Sequence, residues 1–123
     1  MKKTILFVED ETVLQKTLGD ALELKGYNML QALNGEDGWQ LAKKSKPDLI
    51  LLDLILPKKD GFEVLSELKQ NEETKNIPVI VLTNLENAQD IERVLALGVT
   101  TFLVKTNYEL DEIVEKIEKT LNS

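Results

Sequence analysis

Residues 48–61 read DLILLDLILPKKDG, the most apolar stretch of the chain with a charge in its middle. Leu49 to Leu52 is an unbroken aliphatic run, the pattern of a strand that is buried on both faces of a parallel sheet. Asp53 follows at once, and a carboxylate is seldom buried without a partner. The stretch therefore predicts an interior strand that ends at Asp53, beside a group that compensates its charge.

Strand-like and helix-like periodicity alternate on both sides of this segment. Five strands are predicted, at 4–8 (TILFV), 28–33 (NMLQAL), 49–52, 77–83 (IPVIVLT) and 100–104 (TTFLV). Five helices are also predicted. The first runs from Thr12 to Lys25 and is ended by Gly26, the second runs from Gly35 to about Lys44 and is capped by Asn34, and the third runs from Phe62 to about Gln70. The fourth carries Ile91, Val94 and Leu95 between a cap at Asn87 and Gly98, and the last starts at Asn107 or a neighbour. Right-handed crossovers between such units give a doubly wound α/β fold, a five-stranded parallel sheet of flavodoxin-like order 2-1-3-4-5.

Composition limits the chemistry. The 123 residues suit one domain, 1–123, and they include no Cys and no His, which excludes disulfides, thiolate or imidazole metal sites and Ser-His triads. The chain can therefore not donate a phosphoryl group from a histidine. Carboxylates, hydroxyls and lysines remain, and these favour hard cations.

Net charge and hydropathy limit which partners and which cellular compartment are expected. The net charge is -7 and Arg93 is the only arginine, which argues against direct nucleic-acid binding. No apolar run approaches the roughly 20 residues of a membrane helix. We therefore expect no membrane contact and take the cytoplasm as the default location.

Polar residues lie at the carboxyl ends of four of the five predicted strands. Glu9 and Asp10 follow the first, Asp53 the third and Lys105 the fifth, while Thr83 ends the fourth. Taken singly, each has an ordinary explanation: an acidic first helical turn, a strand-end turn, a surface lysine or a β-forming residue. In order 2-1-3-4-5, however, ligands bind between strands 1 and 3 at the carboxyl edge, where these residues would meet.

Crowded carboxylates need compensation, and Mg²⁺ supplies it. Asp10 and Asp53 are the expected direct ligands, with Glu9 acting directly or through water. Asp53 is the expected nucleophile, forming an acyl phosphate. The Lys105 ammonium and the Thr83 hydroxyl would contact the phosphoryl oxygens.

With these residues the whole chain resembles the receiver domain of two-component response regulators, of the chemotaxis-receiver type. The motifs are VEDE (8–11), LLDLILPKKDG (51–61), PVIVLT (78–83) and TFLVK (101–105). The resemblance implies that Asp53 takes a phosphoryl group from the phosphohistidine of a sensor kinase or phosphotransfer protein. It also implies the metal ligands, namely Glu9, Asp10, Asp53 and the Ile55 carbonyl.

The resemblance further implies a switch. Thr83 and Phe102 match the family's switch pair, although Phe102 has core or edge packing as its simpler explanation. Movement of the pair would change the surface of the fourth helix, fifth strand and fifth helix for a downstream protein. The chain would assist its own phosphorylation and dephosphorylation rather than act as an enzyme on another substrate, as a monomer or as a phosphorylation-dependent dimer.

The sequence departs from the family at two positions. Thr106 replaces the usual proline after the lysine, and Asn84 replaces a small residue after Thr83. Two residues beyond Asp53 and Thr83 lie Ile55 and Leu85, and we expect this apolar pair to hinder attacking water.

Three other hypotheses are compatible with parts of the sequence. A Mg²⁺-dependent phosphohydrolase would often carry a second acid where Ile55 stands. A pseudo-receiver would bind partners without phosphoryl turnover. A flavodoxin-like cofactor binder would need glycines where this chain has VEDE.

Overall fold

The structure is a computed structural model that describes residues 2–99 and 101–122. Strands and helices alternate along these residues. The strands are β1 (Thr4–Val8), β2 (Asn28–Ala32), β3 (Leu49–Leu52), β4 (Val79–Thr83) and β5 (Thr101–Val104). The helices are α1 (Thr12–Leu24), α2 (Gly35–Ser45), α3 (Gly61–Gln70), α4 (Ala88–Ala96) and α5 (Leu110–Leu121), and a 3-10 helix (Lys105–Asn107) follows β5.

The described strands form one parallel sheet in the order β2-β1-β3-β4-β5, which confirms the predicted doubly wound α/β fold. Val8, the last residue of β1, pairs with Ala32 of β2 and with Leu52 of β3. Because β1 and β3 are parallel neighbours in this register, the residues that follow them leave the sheet side by side.

Two apolar layers cover the sheet, one on each face. The first core layer lies between the sheet and α2, α3 and α4, and the central strands contribute to it Leu6, Val8, Ile50 and Leu52. The second core layer lies between the sheet and α1 and α5, and the central strands contribute to it Ile5, Phe7, Leu49 and Leu51. All eight of these side chains are fully buried, as the aliphatic pattern of an interior parallel strand predicts.

The helix signals read from the sequence are largely confirmed. Asn34 and Asn87 cap α2 and α4, since their side-chain oxygens accept hydrogen bonds from the N–H groups of Asp37 (2.8 Å) and Asp90 (2.9 Å). Gly98, just beyond α4, has a φ of 92°, which favours glycine at a helix end. None of the helices in the described ranges has the length and hydrophobicity that crossing a bilayer requires.

A few boundaries differ from the prediction. β4 begins at Val79 rather than at residue 77, because Pro78 has no N–H to donate to the sheet. α5 begins at Leu110, and Asn107 lies in the 3-10 helix instead of starting α5. Glu109 caps α5 through a reciprocal capping box with Glu112, which satisfies the N–H groups of these two residues. The predicted strand residue Thr100 lies outside the described residues.

Two glycines inside helices provide a test of this packing. A Cβ at Gly38 of α2 would lie 2.7 Å from Val8 Cγ1, whereas one at Gly19 of α1 would meet no described atom within 4 Å. We expect Gly19→Ala to stabilise the protein by up to about 1 kcal/mol through helix propensity. Gly38→Ala gains the same propensity but overpacks the stiff Val8 side chain, so we expect a net loss of about 1–2 kcal/mol.

Urea unfolding of the two variants measures both free energies. Equal stabilisation by both substitutions would contradict the close approach of α2 to β1.

Candidate functional site at the carboxyl edge of the sheet

The ends of β1, β3 and β5 surround a cleft of about 330 Å³. Five residues that were predicted to act at this edge line the cleft, namely Glu9, Asp10, Asp53, Ile55 and Lys105. The sheet order brings them together, since Glu9 and Asp10 follow β1 and Asp53 follows the neighbouring β3.

Three carboxylates converge in the cleft. Glu9, Asp10 and Asp53 each offer one oxygen, and these oxygens lie within 4.8 Å of one another. Glu9 and Asp53 are buried, with 0% and 4% of their surface exposed, whereas Asp10 is exposed. Three close carboxylates cannot all stay ionised in this position without a compensating cation.

Lys105 supplies a positive charge to two of the three acids. Its Nζ lies 2.6 Å from Glu9 Oε1 and 3.0 Å from Asp53 Oδ2. Burial lowers the pKa of the Lys105 ammonium, but its close contact with the Glu9 carboxylate and its hydrogen bond to Asp53 outweigh that effect and raise the pKa overall. Lys105 is therefore protonated and charged throughout the physiological range.

Burial and the nearby Asp53 carboxylate raise the pKa of the Glu9 carboxyl to about 7, against the contact with the Lys105 ammonium, which lowers it. A metal-free cleft near neutral pH therefore contains a fraction of protonated Glu9, and a bound cation would displace that proton.

The backbone around Asp53 is held by close packing. The Asp53 N–H donates to the carbonyl of Val8 at 3.1 Å, and Asp53 Oδ1 accepts from the N–H of Ile55 at 3.3 Å. Gly61 lies against this segment so closely that a Cβ there would be 2.3 Å from the Asp53 carbonyl oxygen. The loop after β3 thus returns to Asp53 through a position that only glycine fits.

Thr83 ends β4 as predicted, but it does not line the cleft. It is fully buried, and its Oγ1 accepts a long hydrogen bond of 3.5 Å from the N–H of Leu85. Phe102 pairs with Val81, two residues before Thr83, so Thr83 and Phe102 point to the same face of the sheet. Phe102 is half-buried against the first core layer.

The two departures from the family lie at the rim. Asn84 is exposed and lines the cleft. Thr106 is exposed within the 3-10 helix that continues from Lys105, so a hydrogen-bonded turn stands where the family has proline.

Gln15, a buried residue of α1, was not predicted from the sequence. Its Nε2 lies within hydrogen-bond distance of the carbonyl oxygens of Phe7 (2.8 Å), Ala32 (3.0 Å) and Glu9 (3.1 Å). Gln15 shares the buried stripe of α1 with Leu18 and Leu22. A polar residue on an otherwise apolar stripe was the signal that could have indicated it.

Lys59, in the loop after β3, was also missed as an organising residue. Its Nζ lies 2.7 Å from Glu67 Oε1, 3.9 Å from Glu63 and 4.0 Å from Glu36. These contacts tie the loop to α3 and α2. The spacing of Glu63 and Glu67, four and eight residues after Lys59, was the available signal.

Comparison with known proteins identifies the family. The response regulator receiver domain family matches residues 5–118. The chain belongs to this family. Receiver domains are phosphorylated signalling switches rather than enzymes in the usual sense, and they interact with histidine kinases or phosphotransfer proteins and with downstream targets.

Two curated relatives show how the receiver is used in different chains. The present chain is 36% identical over 105 residues to the polar-differentiation response regulator DivK of Brucella anthropi, and the match covers 85% of each chain. It is 37% identical over 117 residues to the DNA-binding dual master transcriptional regulator RpaA of Synechocystis sp.. That match covers 95% of this chain but 48% of RpaA, so this receiver spans about half the length of that relative.

A solved receiver has the same fold and carries a metal. The receiver domain of the sensor histidine kinase PA1611 from Pseudomonas aeruginosa superposes with a TM-score of 0.88 over 100% of both chains, at 28% identity. That structure has a magnesium ion coordinated in its active-site cleft. The acidic cleft of the present receiver fits such an ion, because three carboxylate oxygens converge there and hard cations prefer oxygen donors.

The raised pKa of Glu9 predicts a pH-dependent stability of the metal-free protein. Between about pH 4.5 and pH 7 the folded receiver holds a proton that the unfolded chain has lost, so the free energy of unfolding falls as pH rises through this window. Glu9→Gln removes that contribution. We expect the variant to lose less stability than wild type over this window, in urea titrations without metal.

Asp20→Asn is the control, since Asp20 is a solvent-exposed acid of α1 paired with Lys16. Parallel pH profiles for wild type and Glu9→Gln would show that Glu9 ionises in its ordinary range.

Proposed function

We propose that the chain is the phosphoacceptor receiver of a two-component signalling system and that Asp53 is the residue that is phosphorylated. The observation that carries this proposal is the position of Asp53. Asp53 directly follows the interior strand β3, and its carboxylate faces a cleft with two further acids and has the Lys105 ammonium 3.0 Å from Oδ2. This arrangement combines a nucleophilic oxygen with positive charge for a phosphoryl group.

The phosphoryl donor in this proposal is the phosphohistidine of a sensor histidine kinase or phosphotransfer protein. An Asp53 carboxylate oxygen attacks the phosphorus, a P–O bond forms and the P–N bond breaks. The imidazole nitrogen leaves with the bonding electron pair and takes up a proton from solvent. The chain contains no histidine, so it acts as the acceptor and not as the donor.

The proposed metal is Mg²⁺, in keeping with the magnesium ion in the PA1611 receiver. Its proposed ligands are the carboxylates of Glu9, Asp10 and Asp53 and the carbonyl of Ile55. When bound, the ion neutralises negative charge on the phosphoryl group during transfer. Asp10 is the exposed acid of the set, so it is the side chain that an arriving ion meets first.

Lys105 is proposed to contact the phosphoryl group. In the unphosphorylated receiver its ammonium already lies at the Asp53 carboxylate, and the contact to Glu9 at 2.6 Å keeps it there. The positive charge therefore needs little reorganisation when phosphate is added. The same groups would serve the reverse step, so we propose that the receiver assists both its own phosphorylation and its own dephosphorylation.

We propose that Thr83 and Phe102 transmit the change. Within residues 2–99 and 101–122, the contact made by the Thr83 hydroxyl is the long one of 3.5 Å from the Leu85 N–H, so the hydroxyl can turn toward a phosphoryl oxygen at low cost. Phe102 lies on the same sheet face and is half-buried, so its ring can move further inward. The surface of α4, β5 and α5 would then differ between the two states and select a downstream protein partner.

The remaining proposals concern organisation. We propose that residues 1–123 form a single receiver domain that works in the cytoplasm, as a monomer or as a dimer that forms on phosphorylation. The acidic net charge of -7 argues against direct contact with nucleic acid or with a membrane surface.

The first test is the intact mass after incubation with Mg²⁺ and a small acyl phosphate donor. We expect one added phosphoryl group on wild type, none when Mg²⁺ is chelated, and none on Asp53→Asn, because the nucleophilic oxygen is lost. Asp20→Asn, which removes an exposed carboxylate that does not line the cleft, is expected to accept phosphate like wild type.

Failure of folded wild type to gain mass, in spite of Mg²⁺ binding, would refute the phosphoacceptor role and favour a pseudo-receiver. Asn84 and Thr106 would then be the first residues to revert to the family pattern.

A second test concerns the lifetime of the acyl phosphate. Ile55 lines the cleft with 55% of its surface exposed, and Leu85 is half-buried near the end of β4. We expect this pair to exclude attacking water, so that Ile55→Asn shortens the lifetime about tenfold, equivalent to roughly 1.4 kcal/mol in the barrier. The measurement is the decay of the phosphorylated mass after the donor is removed.

Ile55→Leu is the matched variant, which keeps an apolar side chain of the same size and is expected to leave the lifetime unchanged. A rapid decay in wild type that Ile55→Asn does not alter would count against shielding by this pair.

A further inference from the structure

We infer that Gln15 is a positioning residue of the receiver, which holds the acidic turn (residues 9–11) in the conformation that makes Glu9 and Asp10 converge with Asp53 on a divalent cation. The inference rests on the proposed function, since it concerns the metal site of that function. It starts from the burial of Gln15, of whose surface 4% is exposed although it carries an amide.

The Gln15 amide organises three carbonyl groups at the end of the sheet. Nε2 has two hydrogens, whereas the oxygens of Phe7, Glu9 and Ala32 all lie 2.8–3.1 Å from it, so one hydrogen is shared. Phe7 belongs to β1, Ala32 ends β2, and Glu9 lies in the acidic turn. One side chain therefore ties the turn to both strands.

The hydrogen bond from Gln15 Nε2 to the Glu9 carbonyl constrains the backbone from which the Glu9 and Asp10 side chains project. The Glu9 N–H donates to the Ala32 carbonyl at 2.9 Å, so both peptide groups that flank Glu9 are hydrogen-bonded. The Glu9 carbonyl and the Asp10 N–H belong to one planar peptide unit. Holding that oxygen therefore limits backbone rotation at Glu9 and at Asp10, which sets the direction in which each side chain leaves the backbone.

The acidic turn has little other support on the α1 side. Glu11 is the N-cap of α1, and its side chain makes no capping hydrogen bond. The Gln15 N–H donates to the Glu11 carbonyl at 3.0 Å, and the Glu11 N–H donates to Glu9 Oε2 at 3.1 Å. Gln15 thus contacts the turn through its backbone as well as through its amide.

Gln15 contacts none of the reacting groups, so its effect must pass through the turn. Residues that orient metal ligands typically change metal affinity by roughly 10–100-fold when they are replaced. The neutral amide suits this role, because it donates hydrogen bonds without adding charge beside three carboxylates.

Gln15→Met is the test variant. Methionine has nearly the same length but no donor, and its bulk matters because Gln15 also lines a groove of about 350 Å³ between α1 and β2. A small residue such as alanine would let water enter from that groove and replace the amide hydrogen bonds. Gln15→Asn, with the amide one methylene shorter, is the milder second variant should Gln15→Met fail to fold.

The control is Leu22→Ala, which loosens α1 in the second core layer without touching the acidic turn. Binding of Mn²⁺ alone is measured by electron paramagnetic resonance on the whole chain, with folding checked by urea titration. We expect the Gln15 variant to bind Mn²⁺ at least about tenfold more weakly than wild type, and Leu22→Ala to bind it like wild type.

Two results would overturn the inference: wild-type affinity in the Gln15 variant, or an equal loss in Leu22→Ala, which would reduce the effect to a general loosening of α1. Asp10→Asn, measured in the same Mn²⁺ titration, distinguishes a wrong inference about Gln15 from a wrong metal site. If wild type binds no Mn²⁺, or Asp10→Asn binds it equally, the proposed metal site is wrong and the inference about Gln15 falls with it.

Discussion

The contact of the Lys105 ammonium with the carboxylates of Glu9 and Asp53 is the interaction on which the cleft depends. Two buried acids at the end of a parallel sheet would repel each other and lose their hydration, and a single lysine at 2.6 Å and 3.0 Å offsets part of this cost for both. Removing the lysine from such a buried set leaves uncompensated negative charge, which typically costs about 3–5 kcal/mol. The charges of the cleft are therefore part of the fold as well as of its chemistry.

This arrangement follows from the sheet order. β1 and β3 are adjacent, so the acids that follow them leave the sheet side by side, while Lys105 follows β5 at the edge of the sheet. A lysine side chain is long enough to cross from β5 over the end of β4 to Asp53. The short side chain of Thr83 at the end of β4 stays buried beneath this contact. The Lys105 ammonium thus contacts the acids that follow β1 and β3, and the order of the strands decides which acids it can reach.

The strands were predictable because interior parallel strands are apolar on both faces. Leu49–Leu52 is an unambiguous case, and all four residues are fully buried. The caps at Asn34 and Asn87 were predictable because a short polar side chain before a helix has one common use. The start of α5 was not, because Asn107 and Glu109 are both reasonable caps, and the reciprocal bonding of Glu109 with Glu112 decides between them. Gln15 and Lys59 escaped for a related reason, since their contacts join several elements that only the packing of the helices on the sheet brings together.

The sequence by itself determined which chemical groups end each strand, and with them the family to which the chain belongs. Local pattern is sufficient for this, because strand period, apolar runs and the residues that follow them are properties of short segments. Only the tertiary structure decided that Lys105 reaches Asp53, 52 positions away, that Thr83 is buried instead of lining the cleft, and that the Gln15 amide meets three carbonyls. These contacts depend on the order of the strands, their register and the packing of α1 on the sheet, and distances across a sheet are set by the whole fold rather than by any one segment.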